Sequence, residues 1–112
     1  MRRRIGQQGE AIAARYLKKL GYRVLVLNAR LAGCEIDIVA RHGEELVFVE
    51  VKTRTSSVSG YPEDSITLQK LAHIERAAHA WLLEYGEQPW RVDAISVEIG
   101  DFEPKVTHFL GL

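Results

Sequence analysis

Residues 35–53, EIDIVARHGEELVFVEVKT, read as two extended runs joined by a polar turn. EIDIVAR alternates, with Ile36 and Ile38 on one face and Glu35, Asp37 and Val39 on the other. HGEE supplies a tight turn around Gly43, and ELVFVEVKT returns as the antiparallel partner. Within residues 46–53, five of eight side chains are apolar, so this run is built to be buried. Alternation sends Val47, Val49 and Val51 one way and Leu46, Phe48, Glu50 and Lys52 the other. Pairing residue 41 with residue 45 places Asp37 opposite residue 49, give or take one position, and therefore close to Glu50.

Two carboxylates that close repel each other, and one tends to protonate. A divalent cation removes the conflict. Mg2+, or Mn2+ in its place, prefers hard oxygen ligands, takes one or two carboxylates, and completes its shell with water and substrate phosphate. A lysine on the same face, Lys52, stabilises charge developing on a phosphoryl group or orients the attacking water. The residues thus point to metal-assisted phosphodiester hydrolysis. A plain Glu–Lys surface pair on an edge strand is the competing reading.

The flanking sequence predicts the rest of the sheet and two helices. Residues 6–20 form an amphipathic helix with Ile12, Ala13, Tyr16, Leu17 and Leu20 on its apolar stripe and Gly21 as its C-cap. Glu10 lies at the edge of that stripe. Strands are expected at 22–28, 35–41, 45–53, 90–99 and 105–110, with NARLAGC as a loop. A second helix is expected over about 66–85, capped by Asp64 or Ser65. The polar segment 55–65 reads as a mobile loop and residues 1–5 as a basic tail. The order α-β-β-β-α-β-β implies one α/β domain over residues 1–112, a mixed sheet with flanking helices.

Charge and composition narrow the function classes. Residues 1–30 hold eight arginines and lysines against Glu10 alone, a net +7; the other 82 residues carry 7 basic and 14 acidic groups, a net −7. The basic first third suits an anionic partner, nucleic acid first, with Arg2, Arg3 and Arg4 as phosphate contacts. No apolar run approaches the roughly 18 residues of a membrane span, and the N-terminus lacks the apolar core of a secretory signal. Cys34 is the single cysteine, which fits a reduced, cytoplasmic setting.

EIDIVA followed by VFVEVKTR resembles the PD-(D/E)xK nuclease superfamily. The wider string of Gly9, Glu10 and Ala13, then Asn28 and Arg30, then residues 35–40 and 47–54, is similar to the YraN family. Those are small bacterial proteins described as predicted endonucleases and similar to archaeal Holliday junction resolvases. The likeness spans roughly residues 5–98. It implies a restriction-endonuclease-like core and an endonuclease acting on DNA, branched DNA included. Asp37, Glu50 and the Val51 carbonyl would be metal ligands, Lys52 the catalytic lysine, and Glu10 a helix acid reaching towards the metal. Gln69 and Lys70 match a pair that would contact phosphate or the attacking water. Resolvase relatives imply a homodimer. One departure is Cys34, where the family pattern has glycine; Gly33 is the residue that would take over a glycine-only backbone conformation.

The remaining candidates receive ordinary assignments. His42, His73, His79 and His108 share no metal-ligand spacing. Trp81 and Trp90 are read as core, and Asp93 as a buried, hydrogen-bonded acid. Arg54 continues the Glu50 and Lys52 face towards a phosphate. Two rivals to the nuclease stay open: a nucleic-acid-binding module of the same fold that does not cut, and a protein-interaction domain with structural charges.

Overall fold

The computed structural model describes residues 2–55 and 67–112, without the side chains of Arg2, Arg3 and Arg4. The elements are α1 (Arg2–Lys19), β1 (Arg23–Leu31), β2 (Cys34–His42), β3 (Glu45–Thr55), α2 (Leu68–Tyr85), β4 (Trp90–Ile99) and β5 (Lys105–Phe109). Their order is the expected one. The strands form one sheet in the order β1-β2-β3-β4-β5. All neighbours run antiparallel except β3 and β4, which are parallel and are connected through α2.

Each helix covers one face. Ala13, Ala14 and Leu17 of α1 pack with Ile38, Val47, Val49, Val51, Ile95 and Val97. Ile74, Ala77, Ala78 and Leu82 of α2 pack with Val39, Leu46, Phe48 and Val92. The alternation of β3 is therefore as read from the sequence: odd positions meet α1, and Leu46 and Phe48 meet α2. Trp81 and Trp90 pack against the α2 layer.

Several boundaries differ from expectation for local reasons. α1 begins at Arg2, so the expected basic tail is helical backbone; the side chains of Arg2, Arg3 and Arg4 lie outside the described residues. The helix stops where Gly21, at φ 92°, donates to the Lys18 carbonyl while Tyr22 donates to that of Leu17. That pair of bonds is a Schellman cap. NARLAGC is mostly strand: β1 runs on to Leu31 and pairs with Cys34 around a two-residue turn. Ala32 and Gly33 both have positive φ, 53° and 75°, as a type I′ hairpin requires. Gly33 thus takes the glycine conformation, and Cys34 simply opens β2. Thr55 still belongs to β3, and the rest of the expected mobile loop, with Asp64 and Ser65, lies outside the described residues. The α2 cap is Thr67, whose hydroxyl accepts from the Lys70 amide at 3.1 Å.

One correction concerns faces. Ile36 packs in the α2 layer with Ala29, whereas Ile38 packs in the α1 layer, so the two isoleucines do not share a face. The break coincides with Asn28 of β1, which has φ 54° and stands level with Asp37. A left-handed residue there rotates the strand pair, and the β2–β3 ladder runs only from His42↔Glu45 to Ile38↔Val49.

Asp93, on β4 level with Val49, is fully buried and fully partnered. It accepts from Arg91 Nε at 2.9 Å and from the Gly111 amide at 2.9 Å, and lies 2.8 Å from His108 Nε2. His108 Nδ1 is 3.1 Å from Tyr16 Oη, and Arg91 also donates to Glu45 and Tyr22, each at 2.6 Å. The network ties α1, β3, β4, β5 and the C-terminal residues together.

Candidate metal and phosphate site

The site forms where β2 leaves β3. The register is one residue from the expected sum, with Ile38 opposite Val49, which brings Asp37 level with Glu50. In place of a ladder carbonyl, Asp37 Oδ2 accepts the Val51 amide at 2.7 Å. That bond holds the carboxylate against β3, level with Glu50. The two carboxyl groups face each other closely enough to influence each other's protonation.

Electrostatics follow from that crowding. Burial, then the neighbouring Asp37 charge, pushes Glu50 up to about 7 from 4.5. Burial also raises Asp37, opposed by the Val51 amide and by the bond from Glu50. Glu50 is therefore the partner that keeps a proton. Lys52 follows Glu50 on the α2 face, and Lys70 reaches it from α2. The Lys70 ammonium is pushed down, first by its hydrogen bond with Lys52 and then by burial, while Glu50 and Asp37 pull it back up.

A second set of side chains closes the site from the α1 side. With its amide nitrogen turned inward, Asn28 donates to Glu10 Oε1 at 3.0 Å and to Glu35 Oε1 at 3.2 Å. Burial raises Glu10, the Asp37 and Glu35 charges add to that, and the Asn28 bond opposes it. Glu10 is locked in place by its neighbour. A Cβ on Gly9 would stand 1.8 Å from Thr53 Oγ1 and under 3 Å from two further Thr53 atoms. α1 touches β3 one residue beyond Lys52 because residue 9 has no side chain.

Of the residues singled out in the sequence, Glu10, Asp37, Glu50, Lys52 and Lys70 come together here. Gln69 is exposed, next to Lys70 but outside the cleft lining. Arg54 lies alongside Glu98 on β4, 3.8 Å away, with its side chain only 10% exposed. Glu35 and Asn28 stood in the family-like string but were given no role at the site. Glu35 shares the alternating face of Asp37, and asparagine is among the few residues that tolerate a left-handed backbone, so both carried a signal.

The donor chemistry fits a hard cation. Among the described residues no three His, Cys, Asp or Glu side chains form a metal-holding group. Asp37 and Glu50 offer two hard oxygen ligands, a smaller set that would suit Mg2+ with water and phosphate completing its shell. Two half-buried carboxyls crowded together and raised by burial are the situation that a divalent charge relieves.

Comparison with known proteins places the chain. A UPF0102 protein of Anaeromyxobacter dehalogenans is 44% identical over 110 residues, covering 96% of this chain and 82% of the relative. Similar proteins occur in Dehalococcoides mccartyi, 39% identical over 107 residues (94% and 88% covered), and in Carboxydothermus hydrogenoformans, 40% over 111 (96% and 93%). Among the described residues no helix is long and apolar enough to cross a membrane. The model of the uncharacterised protein family UPF0102 matches residues 9–97, the stretch that carries every paired charge of the site, and the chain belongs to that family, of which the YraN proteins are part.

Proposed function

We propose that the protein is a Mg2+- or Mn2+-dependent endonuclease that hydrolyses DNA phosphodiester bonds, branched DNA among its substrates. The observation that carries this reading is the Asp37–Glu50 pair, set level with each other by the β2–β3 register and raised by burial, with Lys52 and Lys70 beside it. Asp37, Glu50 and the Val51 carbonyl would hold the cation. Bound there, it would polarise a phosphoryl oxygen and make the attacking water more acidic. The chain's own groups supply the rest. The Lys52 and Lys70 side chains sit close enough that Lys52 pushes the Lys70 ammonium down, and a phosphate bound between them would offset that. Asn28 keeps Glu10 and Glu35 turned towards the Asp37 side, where Glu10, raised by burial, takes up a proton released by the water. The water oxygen bonds to phosphorus, one ester P–O bond breaks, and the departing oxygen takes a proton. A homodimer would present two such sites to a four-way junction.

The test is cleavage of linear and branched DNA with Mg2+ or Mn2+, run with Lys52→Ala and Asp37→Asn. Loss of a group that stabilises transition-state charge is expected to lower the rate about 100-fold or more. Equal rates for both variants and the wild type would refute hydrolysis at this site. Binding without cleavage in all three would identify the non-cutting module.

A further inference from the structure

We propose that the cleft between α2 and the β1–β2 turn holds one unpaired DNA strand beside the phosphate being cut, and that Arg76, with His73, clamps the neighbouring phosphate on that strand. The inference deepens the hydrolytic reading of Asp37, Glu50 and Lys52 and rests on it.

The cleft opens directly from Glu50, is open to solvent on one side, and has a volume of about 290 Å3. Its two walls differ in charge. Glu35 and Glu50 lie on the sheet side, and Lys70, His73 and Arg76 lie on the helix side. Positions 70, 73 and 76 fall on one face of α2, rising about 4.5 Å at each step. Lys70 is bound up with Lys52 and the carboxyl pair. His73 and Arg76 are exposed, and no ion pair or hydrogen bond engages either one among the described residues. A row of donors leading away from a phosphate site, with its outer members unengaged, suits a chain of phosphates. The guanidinium fork matches two phosphate oxygens, and the imidazole donates an N–H whatever its charge.

The cleft's size selects the form of the strand. A cleft of about 290 Å3, open to solvent on one side, is on the scale of a single nucleotide group rather than of a base pair. Glu50 is half-buried and Ile74 beside it is buried, so a phosphate must descend below the α2 surface to meet the carboxyls. A duplex is held off by α2 on one side and the Gly33–Glu35 turn on the other. A strand released from pairing enters edgewise. The substrate class is therefore DNA with an unpaired segment at the cut: a fork, a flap or an opened branch point.

Fluorescence anisotropy in EDTA, where nothing is cut, reads this directly on a forked and a blunt duplex of matched sequence. The wild type should prefer the fork. Arg76→Ala should weaken fork binding about tenfold and lower its salt slope by about one, with duplex binding changed less than about twofold. Arg76→Lys should recover part of the fork affinity. Arg23→Ala, an exposed arginine at the far end of β1, should leave the preference intact. No fork preference in the wild type, or equal losses on both DNAs in Arg76→Ala, would overturn the clamp. If the protein cuts DNA but Arg76 does not affect fork preference, the clamp fails and hydrolysis stands. If Arg76 governs fork binding but no Mg2+-dependent cutting occurs, hydrolysis fails and the strand-binding cleft stands.

Discussion

Replacing Glu50 with glutamine should stabilise the protein above neutral pH and leave it nearly unchanged in mild acid. Glu50 titrates near 7 in the folded protein and near 4.5 when exposed. Below pH 4.5 both states hold the proton, and the carboxyl costs nothing. Between 4.5 and 7 the unfolded chain releases a proton that the folded chain keeps, so folding stability falls as pH rises. Above 7 the deficit is complete. At 1.36 kcal/mol per pH unit the gap amounts to about 3 kcal/mol, and to about 2 kcal/mol where water reaches the outer oxygen. Glutamine keeps the shape and has no proton to lose. Urea unfolding of Glu50→Gln and wild type in EDTA, from pH 4.5 to 8.5, should show curves that coincide in acid and diverge by roughly 2–3 kcal/mol in base. Adding Mg2+ at pH 8 should close the divergence by stabilising only the wild type. A glutamine variant no more stable than wild type at pH 8, or a gap that does not change with pH, would refute the crowded-carboxyl account.

Three other perturbations separate the parts of the structure. Gly9→Ala should destabilise by about 1–3 kcal/mol in chemical denaturation, because the new methyl meets Thr53, despite the better helix propensity of alanine. Asp93→Ala should cost about 3–5 kcal/mol in the same assay, since it leaves Arg91 and His108 without their buried acceptor, whereas Glu45→Ala, at the exposed rim of that network, should cost about 1 kcal/mol or less. Asn28→Gly keeps the left-handed backbone but deletes the donor to Glu10 and Glu35. It should lower DNA cleavage at least tenfold with stability changed by less than about 1 kcal/mol, a split that circular dichroism and a cleavage assay resolve.

The hairpin was legible because its signals are local. Alternation assigned both faces of β3, and the turn at Gly43 fixed the register to within one residue, enough to bring Asp37 to Glu50. What escaped the sequence was non-local or carried by a single dihedral. Ile36 and Ile38 look identical in an alternating run, and only the left-handed Asn28 in the neighbouring strand turns them to opposite layers. The same residue explains why Glu35 joined the site unnoticed: its partner is a side chain seven positions away on another strand. Arg54 shows the converse limit. It keeps the face of Lys52, yet a parallel neighbour contributes Glu98, and nothing between residues 54 and 98 announces that pairing. His73 and Arg76 fell on a helix face that hydrophobic spacing marks only as solvent side.

The bond from the Val51 amide to Asp37 gives the protein a built-in observer of its own site. In most strands that amide would point at a main-chain carbonyl and stay silent to chemistry. Here its proton lies 2.7 Å, nitrogen to oxygen, from a titrating carboxylate. The amide resonance of Val51 in a nitrogen–proton correlation spectrum should therefore move when Asp37 gains a proton, and move again when a cation draws charge from that oxygen. A single backbone signal would follow occupancy of the site without any label placed inside it.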